Sequence, residues 1–188
     1  MTIRYSHGYG ETCNKPTQRE AADFAAFCDD VLDLRSTAKR QHFVCGPCGI
    51  APDDDAHRAE PAKRRAIGKH HRCKTCVEST AFLGLDVDGW HPGDASPAES
   101  ATGLCDYMQR YDCLIYSTAS STPTEPRLRV LVALDMAAPR AERIAASRAF
   151  RARVDAHMRA AGFRLPKWDD SCDKPEQPLY TPTRGAHV

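Results

Sequence analysis

The chain has 188 residues, enough for one domain with a substantial core. Its formal net charge of +1 does not indicate a protein that binds nucleic acid or an acidic substrate through its overall charge. No apolar run reaches membrane-spanning length, and the N-terminus lacks the apolar core of a signal peptide. We therefore expect a soluble, cytoplasmic protein with no membrane partner. The nine cysteines are an odd number and do not indicate a closed disulfide framework.

The N-terminal part of the chain predicts one helix and one short strand. Residues 1–15 are polar and contain several glycines, so we expect little regular structure there. Thr17 and Glu20 match a capping box, and apolar residues at helical spacing then predict a helix as far as Leu34. A short strand is expected over 42–44.

Two CxxC pairs follow, at a distance that is typical of a tetrahedral zinc site in ribbon-type modules. The predicted zinc ligands are Cys45, Cys48, Cys73 and Cys76. His70 or His71 could replace one of them. Because the tract between the pairs does not read as a hairpin, four ordinary thiols are the alternative interpretation.

A basic tract with interleaved histidines lies between Arg58 and Lys74. Such a tract is typical of phosphate contact, although a solvated loop explains it equally well. The residues that we expect to bind nucleic acid are Arg64, Arg65, Lys69, Arg72 and Lys74.

In the segment from Thr80 to Trp90, apolar residues recur at every second position, which is the period of a β-strand. One side is wholly apolar, and the other ends in Asp86 and Asp88, about 7 Å apart along the strand. Two carboxylates this close repel each other unless a cation lies between them, which favours a hard metal ion with oxygen ligands. A strand that runs into a polar turn is the alternative.

The remaining elements follow from caps and periodicity. We predict a helix over 96–110, strands over 113–118 and 127–134, a helix between Pro139 and Gly162, and an extended piece over 178–181. The exposed face of the last helix is expected to be solvated or to contact nucleic acid through Arg140, Arg143, Arg148, Arg151 and Arg159.

This order of elements predicts an α+β fold, a ferredoxin-like or RRM-like split βαβ core with helices on one face of an antiparallel sheet. The core is expected over 79–182. It follows an N-terminal helical extension over 1–78, which belongs to the same catalytic unit and would hold zinc if the two CxxC pairs form a zinc site. Residues 183–188 form a tail.

The first and third core strands lie side by side in that topology. Asp86 and Asp88 are therefore expected near Arg129 and Arg127, with Asp169 or Asp170 brought to the same face. Carboxylates and arginine that converge on an open sheet are typical of phosphoryl or nucleotidyl transfer.

Three ordered motifs resemble the catalytic domain of archaeo-eukaryotic-type primases, in the branch found in replication proteins of plasmids and phages. They are Phe82–Gly89, Ile115–Val132 and Trp168–Pro182, within a similarity that covers Arg72 to Pro182. The resemblance implies a template-dependent DNA primase or primase-polymerase, a nucleotidyltransferase that makes short primers on single-stranded DNA by two-metal chemistry. Its partners would be nucleoside triphosphates, a DNA template and a replicative helicase or initiator.

The resemblance also implies roles for individual residues. Asp86, Asp88 and Asp170, or else Asp169, would hold Mg²⁺ or Mn²⁺, and Arg129 would contact the nucleotide phosphates. Arg72 and Lys74 look like the basic pair that often precedes the first motif in this branch, which accounts for the second CxxC pair without zinc.

One position departs from the pattern. Ser121 stands where the family usually has a histidine that holds the triphosphate. A serine carries no charge, so triphosphate binding would weaken or be supplied by Arg127, Arg129 or a nearby histidine. A primase-fold module that binds origin or single-stranded DNA without catalysis is the alternative function.

Overall fold

The computed structural model describes residues 1–10, 13–33 and 41–182. These residues form an α+β fold with two four-stranded antiparallel sheets and five helices, which confirms the predicted fold class. The helix end predicted at Leu34 and the tail 183–188 lie outside the described residues. None of the described helices is long and apolar enough to cross a membrane.

The elements alternate along the chain. In order they are β1 (Ile3–Tyr9), β2 (Thr17–Ala21), α1 (Phe24–Asp33), β3 (Gln41–Val44), α2 (Asp55–Ala59), α3 (Pro61–Arg64), β4 (Thr80–Trp90), α4 (Pro97–Met108), β5 (Cys113–Ser117), β6 (Leu128–Ala138), α5 (Arg140–Ala160), β7 (Pro166–Trp168) and β8 (Leu179–Tyr180). A 3₁₀ turn over Asp170–Asp173 separates the last two strands.

The central sheet has the strand order β5-β6-β4-β7, and the helices α4 and α5 connect its strands. This is the predicted split βαβ arrangement, with β4 and β6 adjacent in the middle. The apolar side of β4, which includes Leu83, Leu85 and Val87, packs with Leu104 of α4 and Val154 of α5 in one core. The helices therefore cover one face of the sheet.

A second sheet, with the order β2-β1-β3-β8, lies against the other face of the central sheet. Phe82 of β4 packs there against Phe27 and Phe43, with ring centroids 4.4 and 6.1 Å away. The central sheet was expected to be open on this face. It is covered over the first half of β4, and only the end that carries the aspartates reaches the surface.

Two N-terminal predictions were wrong, because long-range pairing overrides the local pattern. Residues 1–15 contain β1, in which Ile3 and Tyr5 are buried in the core. Thr17 does not begin a helix. It lies in β2, which pairs antiparallel with β1. The helix begins later, where the Asp23 carboxylate accepts a hydrogen bond from the amide of Ala26 at 2.9 Å.

Candidate active site

Asp86 and Arg129 form a buried ion pair between the two central strands. They lie directly opposite each other in the register of β4 and β6, and their exposed fractions are 8% and 6%. Arg129 Nε donates to Asp86 Oδ1 at 3.0 Å, and a second guanidinium nitrogen donates to Oδ2. The remaining terminal nitrogen donates to the carbonyl of Tyr180 at 2.7 Å. The guanidinium therefore connects the central sheet to β8.

The electrostatics of this pair follow from its burial. Burial raises the pKa of the Asp86 carboxyl, and the positive charge of Arg129 opposes that rise. The charges of Asp88 and Asp169 add to the rise. In the other direction, the carboxylate of Asp86 helps to raise the pKa of Arg129 against the effect of burial. Arg129 is therefore a permanent cation at the site.

Asp88 lies two residues further along β4 and is exposed. With Asp86 and Arg129 it lines a pocket of about 50 Å³, which Tyr116 closes from β5. Tyr116 is buried, and its hydroxyl donates to the Tyr180 carbonyl at 2.9 Å. The two aspartates thus reach one pocket, as the strand pattern predicts. In this state the pocket has room for a few water molecules only.

Asp169, rather than Asp170, lies beside Asp86. Carboxylate oxygens of Asp86 and Asp169 and the Cys172 sulfur are within 4.8 Å of one another, and the Asp169 amide donates to the Asp86 carbonyl at 2.9 Å. Asp170 instead points outward, with 92% of its side chain exposed and its carboxylate bound to Arg151. Of the two alternatives for the third carboxylate, Asp169 therefore has the closer position, because it precedes the 3₁₀ turn as its N-cap, whereas Asp170 lies within the turn and faces solvent.

Buried arginines of α5 hold this turn in place. Arg143, only 1% exposed, donates to the carbonyls of Cys172 and Asp173 at 2.8 and 2.7 Å. Asp173 is buried too, and its carboxylate accepts from Ser147 at 2.7 Å and from Arg151 at 2.8 Å. The expectation of a solvated arginine face was thus wrong for Arg143 and Arg151. Their spacing of eight residues, with Ser147 between them, places all three on one side of the helix.

Ser121 closes the loop between β5 and β6 through a hydrogen bond to the backbone. The Ser121 hydroxyl accepts a hydrogen bond from the amide of Arg127 at 3.0 Å, and the amide of Thr118 donates to the Arg127 carbonyl at 2.9 Å. The pocket itself is lined by Thr118, Ala119 and Ser120. The structure therefore gives Ser121 and Arg127 backbone contacts at the base of the loop, next to the pocket.

The predicted nucleic-acid residues divide into two groups. Arg64, Arg65, Lys69 and Lys74 are exposed, although the guanidinium of Arg64 also donates to the Arg58 carbonyl at 2.6 Å. Arg72 is half-buried and donates to the Cys13 carbonyl at 3.1 Å, to Asn14 Oδ1 at 3.0 Å and to the Glu176 carbonyl at 3.3 Å. The position of Arg72 is therefore that of a structural clamp.

The four cysteines of the two CxxC pairs do not meet. Cys73 and Cys76 are joined in a disulfide and lie beside His57. Cys45 is buried in the main core, where its sulfur accepts a contact from Arg143 at 3.5 Å. Among the residues that the structure describes, the predicted four-cysteine cluster is not assembled.

The acidic pocket fits a hard divalent cation better than a soft one. Asp86, Asp88 and Asp169 offer carboxylate oxygens, the donors that Mg²⁺ and Mn²⁺ prefer. Burial and the charge of Asp86 raise the pKa of the Cys172 thiol, so this sulfur remains protonated and is a poor ligand. The repulsion among the carboxylates is a further reason for a cation here.

Comparisons with known proteins give one likeness of fold. No family model and no curated protein matches the chain. Among solved structures, the chain is similar to the polymerase domain from Mycobacterium tuberculosis Ligase D in complex with DNA, at 15% sequence identity and a TM-score of 0.43. The match covers 94% of this chain and 57% of that chain. At this TM-score the likeness carries no argument about family or function.

Proposed function

We propose that this chain is a template-dependent nucleotidyltransferase, a DNA primase or primase-polymerase domain of a plasmid or phage replication protein. The observation that carries the proposal is the grouping of charged side chains around Asp86 at the end of a split βαβ sheet: Asp88 and Arg129 line one pocket with Asp86, and Asp169 lies beside Asp86. The same acidic pair and arginine lie in the motifs that resemble primases. A fold alone does not give a function, so the argument rests on these side chains.

Each residue of the pocket has a role in this reaction. Asp86, Asp88 and Asp169 would hold Mg²⁺ or Mn²⁺. When bound, such ions supply charge for the phosphate oxygens and activate a 3′-hydroxyl. Arg129 uses three of its five N–H donors on Asp86 and Tyr180, and we propose that a remaining donor contacts a nucleotide phosphate. It therefore orients Asp86 as well as binding substrate.

The exposed basic residues would bind the template backbone. Arg64, Arg65, Lys69 and Lys74 are at the surface, and Lys74 adjoins α5 through the hydrogen bond from Arg140 to its carbonyl at 3.3 Å. Phosphate contacts of this kind carry no sequence information and weaken steeply with salt. We expect affinity for single-stranded DNA that falls as the salt concentration rises. A helicase or initiator would deliver the template.

A second candidate function is a primase-fold module that binds DNA without catalysis. It is favoured by the closed state of the pocket, in which both Asp86 oxygens are bound to Arg129 and the Ser121 hydroxyl is bound to a backbone amide. A triphosphate would have no imidazole at the Ser121 position. Affinity for single-stranded DNA without nucleotide incorporation would distinguish this function from the first.

A priming assay tests the proposal, with single-stranded template, labelled nucleotides and Mg²⁺ or Mn²⁺. Asp88→Ala is the variant of choice, because Asp88 is exposed and its loss leaves the core intact. We expect template-dependent short products from the wild type and a loss of about 100-fold or more in this variant. Asp94→Ala, which removes another exposed aspartate after β4, is the matched control.

Three results separate the alternatives. Wild-type activity in Asp88→Ala would show that the acidic pair is not the catalytic site. Tight template binding without products under either metal would favour the binding module, and Ser121→His would then be the next variant. A larger loss in Asp169→Asn than in Asp170→Asn would identify Asp169 as the third carboxylate.

A further inference from the structure

The segment 49–77, between β3 and β4, has too small a core to hold its own shape. Its two helices have five and four residues, and isolated bridges join its ends. The buried apolar residues that pack together in it are Ala51, Ala66 and Cys76, with Cys73 partly buried beside them. Units with so little apolar burial usually need a disulfide or a metal ion as a staple.

A cluster of soft ligands lies at the centre of this segment. The Nε2 atom of His57 is 3.7 Å from the Cys73 sulfur, and the ligand atoms of His57, Cys73 and Cys76 all lie within 4.8 Å of one another. His57 is 2% exposed. In this structure the two sulfurs form a disulfide between residues only three positions apart, so it closes a small loop and does not cross-link the rest of the segment.

Asp54 orients the imidazole of His57 toward the sulfurs. The Asp54 carboxylate lies 2.7 Å from Nδ1 of His57 and also accepts the amide of His57 at 2.8 Å, as the N-cap of α2. A proton on Nδ1 that is donated to Asp54 leaves the lone pair of Nε2 directed at Cys73. Metal-binding histidines have their second nitrogen held by a carboxylate in this way.

His71 is a second buried imidazole near this cluster. It is 8% exposed, and its Nδ1 atom has no hydrogen-bond partner among the described residues. An imidazole nitrogen that is buried without a hydrogen-bond partner is available to bind a metal ion.

We propose that the reduced segment binds one Zn²⁺ through Cys73, Cys76 and His57, with His71 as the fourth ligand. A dithiol or phosphine reductant first gives two electrons to the Cys73–Cys76 disulfide and is itself oxidised, while the sulfurs take up two protons. Zn²⁺ then displaces those two protons and binds both thiolates. The metal would thus join α2, through His57, to the loop of Cys73 and Cys76, a cross-link that the disulfide does not supply.

This ligand set differs from the one that the CxxC spacing indicates. Burial raises the pKa of the thiols of Cys45 and Cys48, which disfavours the thiolates that zinc requires. Cys45 also contacts Arg143 in the main core. His57 and His71 therefore take the places of the first cysteine pair.

Zinc content after reduction tests the proposal. The protein is reduced with a phosphine, loaded with Zn²⁺, freed of excess metal and analysed. We expect about one zinc per chain, and a cobalt-loaded sample with the absorption of a tetrahedral site with two thiolates. Cys73→Ser and His57→Gln should each weaken zinc binding by at least about tenfold. Cys48→Ser and the distant Cys105→Ser should keep the full zinc content.

Several outcomes would overturn the proposal. Zinc below about half an equivalent in the reduced wild type, or full zinc in Cys73→Ser, would exclude the site. Loss of zinc in Cys48→Ser would return the site to the four cysteines. An unchanged cobalt spectrum in His71→Gln would exclude His71 as the fourth ligand.

If a variant fails to fold, alkylation of the wild type decides the question. Zinc should then protect Cys73 and Cys76 from modification, as read by mass spectrometry, and leave the rates at Cys13 and Cys28 unchanged. Equal modification of Cys73 and Cys76 with and without zinc would contradict the proposal.

Discussion

The ion pair of Asp86 and Arg129 makes the stability of the protein depend on both partners at once. Both side chains are buried, and each neutralises the charge of the other. Asp86→Ala leaves the guanidinium buried without its counter-ion, so we expect a loss of about 3 to 5 kcal/mol in the free energy of unfolding. Denaturant titration followed by fluorescence measures this loss.

A double variant shows whether the loss comes from the unpaired charge. Replacing both partners by leucine removes the two charges together, and we expect it to cost less than the sum of the single leucine substitutions. Additive costs would mean that the two side chains contribute independently. An Asp86 substitution is thus expected to change stability as well as any catalytic step, so a loss of activity in it has two possible causes. Asp88→Ala, at an exposed residue, is therefore the better variant for activity.

His42 makes the stability depend on pH. It is fully buried, and neither ring nitrogen has a hydrogen-bond partner among the described residues. Burial, with the charge of Arg72 as the second cause, lowers the pKa of His42 to about 4. The unfolded chain has a histidine pKa of about 6.5 and therefore takes up the proton first.

The folded state should thus lose stability as the pH falls through this window. The contribution of His42 is complete above about pH 6.5, and up to about 3 kcal/mol is lost on acidification to about pH 4. Unfolding titrations across this range should show a steeper pH dependence in the wild type than in His42→Gln. His91→Gln, at an exposed histidine, is the control and should follow the wild type. Parallel curves for the wild type and His42→Gln would refute this prediction.

Helix α5 and the 3₁₀ turn after β7 form one unit through Asp173. Its buried carboxylate accepts hydrogen bonds from Ser147 and Arg151, whereas Asp170 binds the same arginine from the solvent side. Asp173→Asn should therefore cost about 3 kcal/mol, because it leaves Arg151 buried with less negative charge. Asp170→Asn, the matched control, should cost less than about 1 kcal/mol.

Amide hydrogen exchange measures the local effect of Asp173→Asn on the turn. In Asp173→Asn the amides of Cys172 and Lys174, which close the turn, should exchange faster, while those of α4 stay unchanged. Equal effects of the two substitutions on stability would contradict the assignment of Asp173 as the buried anchor. Because Asp169 is the N-cap of this turn, we expect the variant also to displace Asp169, the proposed third carboxylate.

Local patterns predicted three strands and both helices of the central sheet, while long-range contacts determined the rest. The last strand was expected over 178–181, but that piece pairs with β3 in the second sheet, and β7 is the fourth strand of the central sheet. The alternation in Thr80–Trp90 and the cap at Ser96 each arise from neighbouring residues, so both were readable. The burial of Arg143 was not, because its partners lie in a turn about 30 residues later. The strand β2 was hidden for the same reason, since Thr17 pairs with a strand that precedes it.

The candidate site was predictable to the same extent. Asp86, Asp88 and Arg129 follow from two alternating strands and their expected pairing, and the structure brings them together. The choice between Asp169 and Asp170 depended on a single turn, which no periodicity encodes. The covering of the sheet by β8 was likewise beyond local pattern, because β8 is a strand of two residues.

At the scale of the whole molecule, Gly84 sets the distance between the two sheets. A Cβ atom at this position would lie 2.1 Å from Cδ1 of Leu179 and 3.1 Å from the sulfur of Cys45. Both neighbours are buried, so neither can move into solvent. We expect Gly84→Ala to lower the free energy of unfolding by about 1 to 3 kcal/mol through overpacking.

A compensating change tests this explanation. Leu179→Ala removes the atom that the new methyl group would meet, so the double variant should be more stable than the sum of the single effects indicates. Thermal and denaturant unfolding of the four proteins gives the coupling. If Gly84→Ala were as stable as the wild type, the sheets would be free to adjust and the close contact would have no cost.

The pairing of β3 with β8 has a consequence for how the protein is made. His42 and Phe43 pair with Tyr180 and Leu179, which lie far from them in sequence, near the end of the described residues. A nascent chain on the ribosome therefore cannot complete its first sheet, or supply the Tyr180 carbonyl that binds Arg129, until Tyr180 has left the exit tunnel. Until then the edge of β3 and the face of β4 at Gly84, which Leu179 covers, remain exposed, and this is the stage of synthesis at which a chaperone would find its binding site.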